Sequence, residues 1–116
     1  MISAAAITLA LAFWAPYSHG QPVCPGGVAV HQVWRYSNDN VPGTVPSAAY
    51  RRIVNGVVEP NCNVYVAPQF RGMTVAEQCA FVAQALGAAW FGLPPSKDRR
   101  NVMYYTARVV PGACKP

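Results

Sequence analysis

Any chemistry performed by this chain would have to draw on a small set of side chains. It contains two histidines, His19 and His31, four carboxylates, Asp39, Glu59, Glu77 and Asp98, and four cysteines, Cys24, Cys62, Cys79 and Cys114. A serine or cysteine nucleophile needs an imidazole or comparable base within hydrogen-bond reach. Beyond residue 20 the chain has a single histidine, His31. Zinc sites built on cysteine use close pairs such as Cys-x-x-Cys, and even the shortest interval here, Cys62 to Cys79, is far wider. The four thiols therefore read as two disulfides, the usual state of an even set in a short exported chain. His31, Glu77 and Asp98 are the side chains from which an unconventional metal site could be assembled. Each has a simpler reading: His31 as a half-exposed strand residue beside Arg35, Glu77 as a helix cap, and Asp98 as a turn residue.

Export is the context those disulfides require. The stretch from Ile2 to Trp14 is apolar and carries no charged side chain. It is shorter than the ~20 residues that cross a bilayer comfortably as a helix. Ser18-His19-Gly20 then places small residues at the −3 and −1 positions of a cut before Gln21, the layout of a secretory signal peptide without the usual basic start. The expected organisation is a signal peptide over residues 1–20, or alternatively a membrane anchor, followed by one secreted or extracytoplasmic domain over residues 21–116. A domain of this size buries a modest core, to which each bridge adds ~2–4 kcal/mol by restricting the unfolded chain. Nine basic against four acidic side chains give a formal charge of +5. The charges are scattered apart from Arg51-Arg52 and Lys97-Asp98-Arg99-Arg100. Such a surface can adhere weakly to anionic envelopes or nucleic acid, but solvated surface charge is the better reading, and without a basic stripe interleaved with aromatics no nucleic-acid partner is expected.

The positioning elements follow from hydrophobic periodicity and turn residues. Val28 to Tyr36 reads as a strand with Val28, Val30, Trp34 and Tyr36 on one face. Ser47 can cap a short helix from Ala48 to Asn55, with Gly56 as its stop. Pro60-Asn61 turns the chain into a second strand, Cys62 to Val66. Thr74-Val75-Ala76-Glu77 is a capping box, opening a helix from Val75 to about Phe91 that Gly92 and Pro94-Pro95 end. Val75, Cys79, Val82, Leu86, Ala89 and Trp90 form one apolar stripe along it. Glu77, Gln84 and Ala88 lie opposite, together with Ala80, Phe81 and Phe91, so that face needs a cover or borders a groove. Four cysteines allow three pairings. With Cys79 on the inward stripe, Cys62–Cys79 and Cys24–Cys114 are the expected bridges.

From Asn63 to Thr106 the sequence resembles the catalytic segment of small matrixin-like metzincins, a family of zinc peptidases. Their pattern is a strand, a helix carrying His-Glu-x-x-His, then x-x-Gly-x-x-His and a turn with an invariant Met. The corresponding pieces here are Asn63-Val64-Tyr65-Val66, the long helix, Gly92-Leu93-Pro94-Pro95-Ser96-Lys97-Asp98 and Asn101-Val102-Met103-Tyr104-Tyr105. Two histidines at i and i+4, a glutamate between them and a third histidine are what bind and activate zinc-bound water in such a site. Aligning Leu86-Gly87 with the family's Leu-Gly puts Gln84, Ala85 and Ala88 at the helical positions and Pro95 at the third histidine. Aligning back from Gly92 moves the helical three to Ala85, Leu86 and Ala89. Neither register supplies a histidine or the glutamate.

The resemblance thus implies a metzincin-like pseudopeptidase. Its expected fold is a small α+β domain stapled by disulfides, a reduced metzincin catalytic domain with one long helix and a few strands. Met103 would fill the space beneath the empty site. No catalytic residue, metal or other cofactor is expected, and the partner would be a protein or an extended peptide held in the vestigial cleft. Two rivals remain: a weak, unconventional metal-dependent peptidase, and an accessory subunit anchored to a membrane by a retained N-terminal segment.

Overall fold

Asn55 and Gly56 decide the first departure from these expectations. In a computed structural model of the chain, which describes residues 3–32, 47–48, 52–94, 98, 100–101, 103 and 112–115, both adopt left-handed backbone, with φ of 52° and 79°. Two successive positive φ angles make the tight turn whose twist suits a β-hairpin. Strands β3 (Arg52–Val54) and β4 (Val57–Glu59) accordingly pair antiparallel, Val54 opposite Val57. The expected helix from Ala48 to Asn55 is not formed. Ile53, Val54, Val57 and Val58 are β-branched and favour strands, and Asn-Gly is a hairpin signal before it is a helix stop.

The remaining elements are α1 (Ala4–Trp14), β1 (Ala29–Gln32), β2 (Ser47–Ala48), β5 (Asn63–Val66), a 3-10 turn (Pro68–Gly72), α2 (Val75–Ala89) and a C-terminal 3-10 turn (Gly112–Cys114). This is a small α+β fold. Among the described residues a three-stranded sheet has the order β1-β5-β2. β1 runs parallel to β5, with Ala29 opposite Asn63 and Gln32 opposite Val66. β2 runs antiparallel to β5, with Ser47 opposite Val66. β1 lies inside the strand expected over Val28 to Tyr36, of which residues 33–36 are outside the described part. β5 begins one residue later than expected.

The parallel pairing also decides the disulfides. The described bridges are Cys24–Cys62 and Cys79–Cys114, with Cα–Cα separations of 5.8 and 5.5 Å. The expected Cys62–Cys79 and Cys24–Cys114 pairs are therefore corrected. Parallel strands begin at the same end of a sheet, and Cys24 and Cys62 each precede one of them. The Ala29 amide donates to the Cys62 carbonyl at 2.9 Å, drawing the two strand entries together. Cys79 does face inward, as its place on the stripe requires, but its partner is the C-terminal turn rather than the preceding strand.

α2 lies at the centre of the core. Cys79, Val82, Leu86 and Ala89 of the expected stripe are buried, and so are Gln78, Ala80, Ala83, Ala85 and Gly87 from other faces. The second cover is α1, which packs along α2 and against the C-terminal turn. Ala6, Ala10 and Trp14, four residues apart on α1, have no exposed surface. That spacing keeps them on one side of the helix. Val64, Phe70 and Met103 complete the largest buried group with Trp14, Leu86 and Val82.

Candidate functional site

The start of α2 is fixed by side-chain chemistry. The Thr74 hydroxyl accepts the Glu77 amide at 3.2 Å, and the Glu77 carboxylate accepts the Thr74 amide at 3.1 Å and the Thr74 hydroxyl at 2.9 Å. The amide bond, and then the hydroxyl bond, hold the Glu77 carboxyl below its ordinary pKa, because both stabilise the charged form. Glu77 is thus occupied at the cap, at the beginning of the helix. At the other end Trp90 caps the helix, Gly92 takes a φ of 67°, and the Leu93 amide returns to the Gly87 carbonyl at 3.0 Å. Gly at such a helix exit supplies the left-handed residue at little steric cost.

The positions that the metzincin resemblance would assign to zinc ligands lie along α2 between these ends. Ala85 is buried, whereas Gln84 and Ala88 are half-buried and share a stripe with half-buried Phe81. In the alternative register, Leu86 and Ala89 are fully buried. Pro95 lies outside the described residues. Met103 is 2 % exposed and sits against Gly87 so closely that a Cβ built there would collide with its Sδ and come within 2.7 Å of Trp14 Cζ2. The chain reaches Met103 through short local bonds. Asn101 donates its amide to the Asp98 carbonyl at 3.0 Å, and its Oδ1 accepts the Met103 amide at 2.8 Å. Asp98 also accepts the Arg100 amide at 3.0 Å, as befits a turn residue.

The side chains from which a metal site could be assembled are dispersed. Among the described residues no three His, Cys, Asp or Glu side chains come together. His31 Nε2 lies 3.0 Å from Asn63 Oδ1, and its ring stacks on Tyr65 with centroids 4.9 Å apart. Both contacts join β1 to β5 across the parallel register, on the exposed side of the sheet. All four cysteines are in disulfides.

The feature that sequence reasoning missed is the part played by the N-terminal segment. Trp14 Nε1 donates to the Ala83 carbonyl at 2.6 Å, a buried bond between segments distant in sequence. At the other end of α1, Gln78 Oε1 accepts the Ser3 amide at 2.9 Å while its Nε2 donates to the Phe70 carbonyl at 3.1 Å. Gln78 is the one buried polar residue among those described, and this network satisfies it. The rings of Phe13, Trp14, Tyr17 and Phe91 then form a chain of edge and tilted contacts, with centroids 4.8–5.3 Å apart. Beside them opens a shallow pocket of about 750 Å3 lined by Phe13, Pro16, Tyr17, His19 and Phe91. The signal was present as Ala6, Ala10 and Trp14 at intervals of four, but uniform apolarity hid it. No family model, curated protein or solved structure matches the chain.

Proposed function

We propose that this is an exported, non-catalytic protein, a pseudopeptidase whose cleft-bordering surface binds an extended segment of a protein partner. The observation that carries the reading is the composition of the α2 face. Gln84, Ala85 and Ala88 stand where the resemblance to metzincins requires two histidines and a glutamate, and Met103 packs on Gly87 as core. Alanine in place of one imidazole and of the carboxylate removes polar atoms that would need partners, and Gln84 at the other imidazole position is only half-buried. The helix can then pack without metal, and two disulfides take over the stabilising role. Those disulfides also suit an oxidising, extracytoplasmic location.

The binding half of the proposal rests on the sheet. Among the described residues β2 is an edge strand, and it touches α2 as well as β5. An extended peptide added along it would gain main-chain hydrogen bonds from the edge and side-chain contacts from the half-exposed stripe of Phe81, Gln84 and Ala88. The test is an NMR titration of the non-reduced chain with a panel of extended peptides, followed by mass analysis of the peptides. The proposal expects shifts confined to β2 and that stripe, with every peptide intact. Cleavage that a chelator abolishes would overturn the non-catalytic reading. No shift with any peptide would overturn the binding reading and leave a structural protein.

A further inference from the structure

A glutamine at the start of a chain can react with itself, and Gln21 is placed to become that first residue. Residues 15–20 form a turn after α1, in which His19 and Gly20 take left-handed backbone with φ of 53° and 84°. The hydrogen bonds at its end are short-range. The His19 amide donates to the Pro16 carbonyl at 3.3 Å, and the Gln21 amide to the Ser18 carbonyl at 3.1 Å. His19, Gly20, Gln21 and Pro22 are all exposed, and a Cβ built on Gly20 would meet nothing within 4 Å. The Gly20–Gln21 bond is thus accessible, with the small residues Ser18 and Gly20 at the positions that a leader cut requires. Both disulfides, Cys24–Cys62 and Cys79–Cys114, lie beyond that bond. Residues 1–20 are therefore tied to the rest of the chain by one peptide bond and by non-covalent contacts.

The main-chain groups of Gln21 are occupied, its amide by the Ser18 carbonyl and its carbonyl by the Ser18 hydroxyl at 2.7 Å. Its side-chain carboxamide is exposed and held by no hydrogen bond among the described residues. Cleavage before Gln21 turns its amide nitrogen into an α-amine. Such amines have a pKa of about 8, so an unprotonated fraction is present at neutral pH. The amine nitrogen attacks the side-chain Cδ of the same residue. An N–Cδ bond forms, the Cδ–Nε2 bond breaks, and Nε2 leaves as ammonia with a proton from the amine. The product is a five-membered lactam, and no oxidant, reductant or other reactant is consumed. Having both groups within one residue supplies the proximity that such a step needs. The lactam is uncharged, so the shortened chain loses its terminal cation. Cys24 is 3 % exposed and bridged to Cys62, which leaves only Gln21, Pro22 and Val23 ahead of a fixed point. A lactam followed by Pro22 closes this short end to enzymes that require a free α-amine.

We propose that Gln21 becomes the N-terminal residue on export and is converted in place to a pyroglutamyl lactam. The inference rests on the exported reading and uses neither β2 nor the Gln84 face. Its test takes the protein from its export route with disulfides intact and labels its free amines before any digestion. Reduction and tryptic cleavage then release the N-terminal peptide, residues 21–35. That peptide is expected to carry no label and to be lighter than its encoded sequence by one ammonia, which fragmentation places at Gln21. In the variant Gln21→Ser the same peptide should show no such loss and should take one label on its α-amine. A wild-type peptide that begins at Gln21 with its amine labelled and its ammonia retained would overturn the lactam and leave the exported reading standing. A protein that still carries residues 1–20, or that begins elsewhere, would overturn the proposal through the cleavage it needs. Ammonia lost from Gln32 with the Gln21 amine labelled would overturn it as well.

Discussion

Gly87→Ala tests whether Met103 and Trp14 close over α2 as described. Alanine in a helix interior is favoured over glycine by about 1 kcal/mol, so on an open helix face the substitution would stabilise the protein. Here the new methyl would meet Met103 Sδ and lie 2.7 Å from Trp14 Cζ2. Met103 can move at some loss of packing. The Trp14 ring is held by its bond to the Ala83 carbonyl and yields less. Overpacking a buried site of this kind costs about 1–3 kcal/mol, which outweighs the gain in propensity. The expected net loss is about 1 kcal/mol, lowering the thermal midpoint by about 4 °C for a domain of this size. Met103→Ala alone should cost about 2–5 kcal/mol. It also makes room for the methyl that Gly87→Ala introduces, so the double variant should be more stable than the sum of the single changes by about 1–2 kcal/mol. Denaturant melts of the four proteins, read by circular dichroism under non-reducing conditions, supply the cycle. A rise in stability on Gly87→Ala alone, with no coupling to Met103, would refute the packing on which the empty-site account depends.

The disulfide pattern predicts that no covalent bridge spans residues 63–78. A non-reduced tryptic map should join the peptide containing Cys24 to that containing Cys62, and the Cys79 peptide to the Cys114 peptide. Any Cys62–Cys79 link would contradict the parallel β1–β5 pairing. Replacing Cys79 and Cys114 together by alanine should cost about 4 kcal/mol in a denaturant melt, given their separation of 35 residues and the loop-entropy relation. At the helix start, Thr74→Ala removes the cap and should cost about 1 kcal/mol. The Glu77 carboxyl has a folded pKa below its ordinary 4.5, so its stabilising effect is present above that value and is lost as pH falls through the lower, folded one. Glu77→Gln should therefore flatten the loss of stability in that acid range, as followed by melts across it, and leave the alkaline limb unchanged.

Much of the local structure could be read from residue types, because short-range chemistry governs it. Thr74 and Glu77 mark the start of α2 through bonds that involve only that turn, and Gly92 marks its exit in the same way. Cys79, Val82 and Leu86 repeat at helical spacing and are buried accordingly. The errors arise where a long-range choice decides. Ala48 to Asn55 offers a helix cap and a stop, but Asn55-Gly56 offers a hairpin turn as well, and the paired β-branched residues on either side favour the strands. Cys62 could reach Cys79 or Cys24, and only the parallel alignment of β1 with β5 selects between them. Residues 3–20 carry the composition of a leader, and composition alone does not reveal that Trp14 finds a buried acceptor 69 positions away. At the candidate site, the absence of His-Glu-x-x-His was legible in the sequence. That Gly87 serves as the seat for Met103 was not, since it depends on how two distant segments meet.

The central claim, that the α2 face holds no catalytic metal, is tested most directly by native mass spectrometry of the non-reduced protein recovered from its natural export route, with zinc determined in parallel. The expected result is the mass of the polypeptide less four hydrogens for its two disulfides, with no zinc bound. One zinc per chain would contradict the claim, and would require ligands among residues that the structure places apart or outside its described part.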